Sequence, residues 1–306
     1  MNAHLRANLR APTMPRDPAV ILRLVSGAMT ALGVTLAIFL WVQLQGGGNP
    51  ADVHFYWAAD PNNLYPHPEL AENNGYNYSP AFEIVVGWGR HLPFDVFVAI
   101  WRAVLLLTVV WLAGPYTVFV LFLVPVASEV NAGNIQILLA AAVAAGFRWP
   151  ATWAFVLLTK VTPGIGLLWF ALRREWRPLA IALGVTVGIA AFSFIGAPQR
   201  WFDWLHLMTS GQAPAPSPYY WSFWQRLPIA LAFVALGAWR GWRWTVPVAA
   251  TYALPVFYII SPAMFLGVLP FVRTAGAPYA LRAVDRLLKS RRSPPGQLPP
   301  REPARP

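Results

Sequence analysis

Val25-Ser-Gly-Ala-Met-Thr-Ala-Leu-Gly-Val-Thr-Leu-Ala-Ile-Phe-Leu-Trp-Val-Gln-Leu44 is the first long apolar stretch of the chain. Shortly after it comes Asp52-Val-His-Phe-Tyr-Trp-Ala-Ala-Asp-Pro-Asn-Asn-Leu-Tyr65. Only Ser26, Thr30, Thr35 and Gln43 interrupt the first stretch. Its length suits a bilayer-spanning helix, which needs about 20 apolar residues, and exceeds the h-region of a signal peptide. Arg6, Arg10, Arg16 and Arg23 precede it, which points to an N-terminus in the cytoplasm. The second stretch places two carboxylates, a histidine and four aromatic rings directly beyond a membrane edge.

Apolar runs recur along nearly all 306 residues. Apolar residues make up 57% of the chain and charged residues 11%, against about a quarter in a typical soluble domain. The expected fold class is therefore all-α, a polytopic membrane protein. Cysteine is absent, so disulfide and thiolate chemistry are excluded. The net charge is +11, but the basic residues sit at the N-terminus, in short connections and in the tail. That is the distribution of cytoplasmic loops facing anionic lipid, so nucleic acid is not an expected partner.

Gln45 to Ser79 carries Asp52, Asp60, Glu69 and Glu72 and no lysine or arginine, and reads as an outer loop. Pro80 to Leu92 is short for a span and reads as a short, interfacial or re-entrant segment. Val96 to Ala113 reads as a span. Gly114-Pro115 breaks the run before Tyr116 to Ala127, and Ser128 to Gln136 is a polar island. Ile137 to Phe147 follows, then Pro150 to Leu172, long enough to span but holding Lys160 and Pro163. Arg173, Arg174 and Arg177 mark a cytoplasmic end. Leu179 to Ile195 returns outward to a second outer loop, Gly196 to Arg226, rich in Trp, Tyr and Pro. Leu227 to Trp239 goes inward, and Thr245 to Val272, with Pro255 and Pro262, is one kinked span or two short ones.

The count is about ten spans, with eight also acceptable, and both termini in the cytoplasm. The organisation is a cytoplasmic segment over 1–19, a membrane domain over 20–272 with outer loops 45–79 and 196–226, and a basic, Pro-rich cytoplasmic tail over 273–306. The location is the plasma membrane, and no strong internal repeat is visible.

The candidate chemistry starts at Asp52. A carboxylate at the membrane edge suits a general base acting on a sugar hydroxyl of a lipid-borne substrate. Alone it reads as a solvated loop acid; Tyr56, Trp57, Asp60 and Tyr65 beside it change the balance, because an aromatic belt explains rings but not acids. Asp60 reads equally well as a turn residue. His54 suits phosphate binding or a hydrogen bond to an acid. Tyr76, Tyr78 and Pro80 form an aromatic lead-in to the next segment, or an interfacial anchor. Glu129, Asn131, Asn134 and Gln136 are polar groups between apolar runs, or a short surface connection. Lys160 lies near the middle of its apolar segment, where a charge is by default functional, and suits a phosphate oxygen or a pairing with Glu129. Arg200, His206 and Arg226 are cations in an outer loop, where a lipid phosphate or short interfacial helices at the head groups account for them. There is no metal-ligand spacing, no phosphate-binding Gly-rich loop and no GxSxG elbow.

In this order the residues resemble the polyprenyl-phosphate-mannose-dependent α-mannosyltransferases of the GT-C superfamily, glycosyltransferase family 87. The motifs are Asp52 with Tyr56, Leu64-Tyr65, Tyr76-Asn-Tyr-Ser-Pro80, Gly133-Asn-Ile-Gln136, Lys160-Val-Thr-Pro163 and Arg173-Arg-Glu-Trp-Arg177, over roughly residues 20–230. The second outer loop departs from the pattern: only Ser222 and Arg226 remain of it, at altered spacing, and the chain is short for the family. The resemblance implies inverting transfer on the outer membrane face, with a polyprenyl-phosphate sugar as donor and a glycan or glycolipid as acceptor. Asp52 would deprotonate the acceptor, and a cation among Lys160, Arg226 and His54 would stabilise the departing phosphate. His54, Tyr56, Asp60, Tyr65, Tyr76, Tyr78, Asn134, Gln136, Lys160 and Arg226 would line the substrate site. No cofactor is implied, since the lipid-linked donor is itself a substrate; no metal is called for, although a bound divalent ion stays compatible with the residues. Mannose comes only from the resemblance, and a pentose on the same lipid satisfies the residues equally well. Two other readings fit parts of the pattern: a transporter or flippase of a lipid-linked or small polar solute, and a degenerate, non-catalytic membrane subunit.

Overall fold

The computed structural model describes residues 17–45, 47–48, 50–66, 75–210 and 221–273, together with positions 282 and 285. Glu69, Glu72, Tyr219, Tyr220 and most of the basic tail lie outside the described residues. Among the described residues every regular element is helical. The helices are α1 (Pro18–Gln45), α2 (Ala51–Trp57), α3 (Pro80–Val86), α4 (Phe94–Ala113), α5 (Thr117–Val120), α6 (Val124–Ala132), α7 (Gln136–Ala145), α8 (Trp153–Thr159), α9 (Leu168–Leu172), α10 (Trp176–Gly196), α11 (Pro198–Ser210), α12 (Phe223–Arg240) and α13 (Thr245–Tyr252).

Among the described residues, three helical segments are long and apolar enough to cross a membrane: α1, the run Phe94–Val120, and α10. A fourth candidate is the pair α6–α7, bent by 108°. The ten or eight spans expected from hydropathy are thus mostly shorter pieces. Proline and glycine break them: Pro115 follows α4, Gly133 separates α6 from α7, and Pro163 separates α8 from α9. Helix α1 buries only Gly33 and Ala37, and α10 only Ala182, so their large apolar side chains face outward around most of the circumference. Such helices are stable when lipid covers them.

The stretch Pro150–Leu172, expected to be one span, is a hairpin. A Cβ on Gly164 would meet Leu157, and one on Gly166 would meet Trp153. The Trp153 and Phe170 rings meet edge to face at 6.4 Å, and Phe147 touches both Trp169 and Phe170. The chain therefore runs out along α8, turns at Lys160, and returns along α9. Hydropathy alone does not reveal the turn, because both arms are apolar.

The two expected outer loops also contain helices. Ala51–Trp57 is helical inside the first, and Pro198–Ser210 inside the second. The core runs through α4, α7, α8 and α13, with Phe97, Leu105, Ile137, Leu139, Val143 and Trp153 all buried.

One end of the bundle gathers arginine–aromatic pairs. Arg148 lies over Trp149, Arg173 over Trp169, Arg240 over Trp239 and Arg243 over Phe147, at 4.5–5.3 Å. Arg173 also donates to the Ala238 carbonyl at 2.8 Å, tying α9 to α12. At the other end of α7 and α8 lie the turns at 133–135 and 160–162, and these meet Asp52.

Candidate active site

Helix α2 opens after Pro50, with Asp52 in its first turn, where a carboxylate is favoured by the helix dipole. Asp52 and Tyr56, four residues apart, share a face of α2 with buried Val53. That face rests on the α6–α7 turn. Gly133 has φ +76°, and a Cβ there would stand 1.9 Å from Val53 Cγ2, so only glycine lets α2 approach this closely. Trp101 Nε1 donates to the Gly133 carbonyl at 2.7 Å and fixes the turn to α4.

The side chain of the next residue, Asn134, comes within hydrogen-bonding reach of the Asp52 carboxylate. Its Oδ1 accepts the Ile135 N–H at 2.7 Å, which leaves the amide hydrogens for the acid. Lys160, at the tip of the α8–α9 hairpin, acts electrostatically on both Asp52 and Glu129. Burial holds the Asp52 carboxyl above its ordinary pKa; the Asn134 hydrogen bond and the Lys160 charge offset part of that rise.

Glu129 is fully buried, with 0% exposure. Its Oε1 accepts the N–H groups of Gln136 and Ile137, the first turn of α7, at 2.5 and 3.4 Å. Having no surface, Glu129 cannot touch a substrate; it closes the bend and faces Lys160. Gln136 is likewise buried, and its side-chain oxygen has no hydrogen-bond partner among the described residues.

The aromatic lead-in packs under Asp52. The hydroxyls of Tyr56 and Tyr78 lie 3.1 Å apart, Tyr65 donates to the Tyr78 carbonyl at 2.5 Å, and Tyr76 donates to the Ser79 carbonyl at 3.2 Å. Ser79 Oγ donates to the Leu158 carbonyl and so fastens this segment to the hairpin. Tyr56, Tyr65 and Tyr76 are buried, and burial raises their phenol pKa values. Tyr78 is half-buried and lies within electrostatic reach of Asp52.

Other expected site residues lie elsewhere. His54 is two positions from Asp52, about 200° around a helix, and packs against Phe94 and Trp57. Asp60 accepts the Asn62 N–H at 2.8 Å and closes an exposed turn. Arg226 is buried, and its guanidinium donates to the carbonyls of Trp221, Tyr252, Leu254 and Pro255. It pins the turn after α13 rather than presenting a bare cation.

That turn carries a residue the sequence reading passed over. Tyr258, 46% exposed, lies within electrostatic reach of Asp52, and its N–H is held by Ser261 Oγ at 2.8 Å. Nothing in its local sequence marks it. Arg102 was also missed, though a lone arginine in the apolar run 96–113 is itself a signal. It donates to the Leu44 carbonyl at 2.5 Å and the Asn131 carbonyl at 2.9 Å, binding the end of α1 to α6 just before α2 begins.

Three turns thus converge, supplying Asn134, Lys160 and Tyr258 around Asp52 on α2. The arrangement brings a carboxylate, an amide and a lysine into one half-buried site. The sequence model of glycosyltransferase family 87 matches residues 76–288, more than half of the chain, and takes in Tyr76, Tyr78, Asn134, Gln136, Lys160 and Arg226. Searches of curated proteins and of solved structures gave no match. The chain belongs to glycosyltransferase family 87 and is a helical membrane glycosyltransferase.

Proposed function

We propose that the protein transfers a sugar, mannose, from a polyprenyl-phosphate donor to a hydroxyl of a glycan or glycolipid, with inversion at the anomeric carbon. The observation that carries this reading is Asp52, half-buried, with the Asn134 amide in hydrogen-bonding reach and the Lys160 charge in electrostatic reach. Asp52 accepts the proton of the acceptor hydroxyl as that oxygen bonds to the anomeric carbon. The bond from that carbon to the phosphate oxygen breaks, and the electron pair leaves with the polyprenyl phosphate. Lys160 offsets the charge that develops on the phosphate. Asn134 orients the carboxylate, and Tyr78 and Tyr258 lie within electrostatic reach of it. The residues ask for no metal and no nucleotide, because the donor phosphate is already a leaving group.

In this reading Asp52 faces the extracytoplasmic side of the plasma membrane. The arginine–aromatic end of the bundle, with Arg148, Arg173, Arg240 and Arg243, then faces the cytoplasm, together with both termini.

The test is transfer from radiolabelled polyprenyl-phosphate mannose in membranes carrying wild type or Asp52→Asn. Transfer by wild type, with a drop of about 10²–10⁴-fold in the variant, is expected for loss of a general base. Equal transfer by both removes Asp52 from that role. Transfer from a pentosyl donor alone keeps the mechanism and changes the sugar.

A further inference from the structure

Helix α11 (Pro198–Ser210) is amphipathic and has three distinct sides. At about 100° per residue, Arg200, Asp203, Trp204 and Leu207 fall on one side. They are half-buried or buried, and Leu207 lines a pocket with Leu64, Tyr65, Gly75 and Tyr76. A second side carries Gln199 and His206, and Gln199 Nε2 donates to Asp203 Oδ1 at its border with the first, at 2.8 Å. The third side carries Phe202, Leu205 and Met208, which are 56%, 50% and 50% exposed. A contiguous apolar stripe this open marks a surface that a partner or lipid covers.

The cover for that stripe follows from what precedes it. Helix α10 is a 21-residue apolar helix that buries only Ala182, so its outer face lies in lipid. Its last turns expose Phe192 and Ile195, and Phe194 meets Phe202 of α11 edge to face at 5.9 Å. Trp201 Nε1 donates to Ser193 Oγ at 3.3 Å and stacks edge-on with Trp204, so the joint between the helices is closed by tryptophan. The exposed stripe of α11 therefore continues the lipid-facing surface of α10 around a corner. Tryptophan at that corner and a polar opposite side are the features of a helix lying in the head-group layer.

We propose that α11 is an in-plane membrane helix, with Phe202, Leu205 and Met208 seated in the acyl boundary of the leaflet at the Asp52 end and Gln199 and His206 in water. Its protein side, through Leu207, then makes one wall of the pocket at Tyr65 and Tyr76 out of a lipid-anchored element. The proposal rests on the membrane reading of α10 and on neither the sugar nor the donor.

The absence of cysteine permits a direct test. Single cysteines at 199, 202, 205, 206 and 208 are labelled with a nitroxide in protein held in lipid nanodiscs. Collision rates with oxygen, which partitions into lipid, and with a neutral nickel chelate, which stays in water, are compared. The expected result is an oxygen-to-nickel ratio severalfold higher at 202, 205 and 208 than at 199 and 206. Ready access of nickel to 202, 205 and 208 overturns the proposal. So does low access of both reagents there, which would mean a protein cover such as a second copy. Sugar transfer by the same labelled proteins is read in parallel, so a failed glycosyltransfer reading is distinguishable from a failed placement of α11.

Discussion

Replacing Gly133 by alanine tests how the site is built. The residue sits at φ +76°, and the new Cβ would stand 1.9 Å from Val53 Cγ2 and 3.3 Å from Trp101. The left-handed conformation alone costs a non-glycine residue about 1–2 kcal/mol. Overpacking against Val53, which is fully buried, adds about 1–3 kcal/mol. The expected loss is therefore about 2–5 kcal/mol, a large fraction of a typical margin of about 5–15 kcal/mol. The strain falls between the Gly133 turn and α2, so it moves Asp52 away from Asn134, and transfer should drop even at temperatures where the variant is folded. Thermal unfolding in nanodiscs reads the first effect and initial transfer rate the second. Val53→Ala removes the methyl groups that clash, so the double variant should lose less stability than the two single losses together, leaving mainly the backbone cost. A Gly133→Ala protein with unchanged melting and rate, or strictly additive losses, would refute the close approach of α2 to the turn.

Asn134→Ala removes the hydrogen bond that lowers the Asp52 pKa, so the acid limb of the transfer rate against pH should move to higher pH; an unmoved limb separates Asn134 from the base. Glu129 and Lys160 act on each other electrostatically, so the melting losses of Glu129→Gln and Lys160→Met should be less than additive in the double variant; additive losses would mean the two do not interact. Arg226→Lys cannot reach the carbonyls of Trp221, Tyr252, Leu254 and Pro255 together and should cost about 1–3 kcal/mol for each buried acceptor left bare, with a lower transfer rate from a displaced Tyr258. Unchanged melting of Arg226→Lys would return Arg226 to the substrate side of the site.

Composition and periodicity determined the class of this protein. Long, unalternating runs of apolar residues with arginine at their ends read as helices in lipid, because only helices and closed barrels satisfy their backbone hydrogen bonds there and barrel strands are short and alternating. The expected membrane glycosyltransferase was legible through the family resemblance, which rests on local features: a carboxylate beside aromatics, a polar island, and a lysine three residues before a proline. The pairing of Asp52 with Asn134 was not, since nothing in either segment reports the other 82 positions away. The hairpin at Lys160 was hidden for a related reason. Hydropathy measures how apolar a segment is and not its direction, and Pro150–Leu172 has the length of a span whether it crosses or turns back. Contacts of Gly164 with Leu157 and of Gly166 with Trp153 decide that it turns.

Tertiary structure also reassigned residues that looked alike in sequence. Lys160 and Arg226 are both cations in apolar surroundings, yet Lys160 faces Asp52 while Arg226 bonds main-chain carbonyls. His54 and Asp52 are near neighbours in sequence, and the helical turn sends them to opposite sides. Sequence alone determined what kind of solvent surrounds this chain and which chemistry its polar groups suit. Only the fold decided which of those groups meet, because the three turns at 133–135, 160–162 and 253–260 come together through packing between residues far apart in the chain.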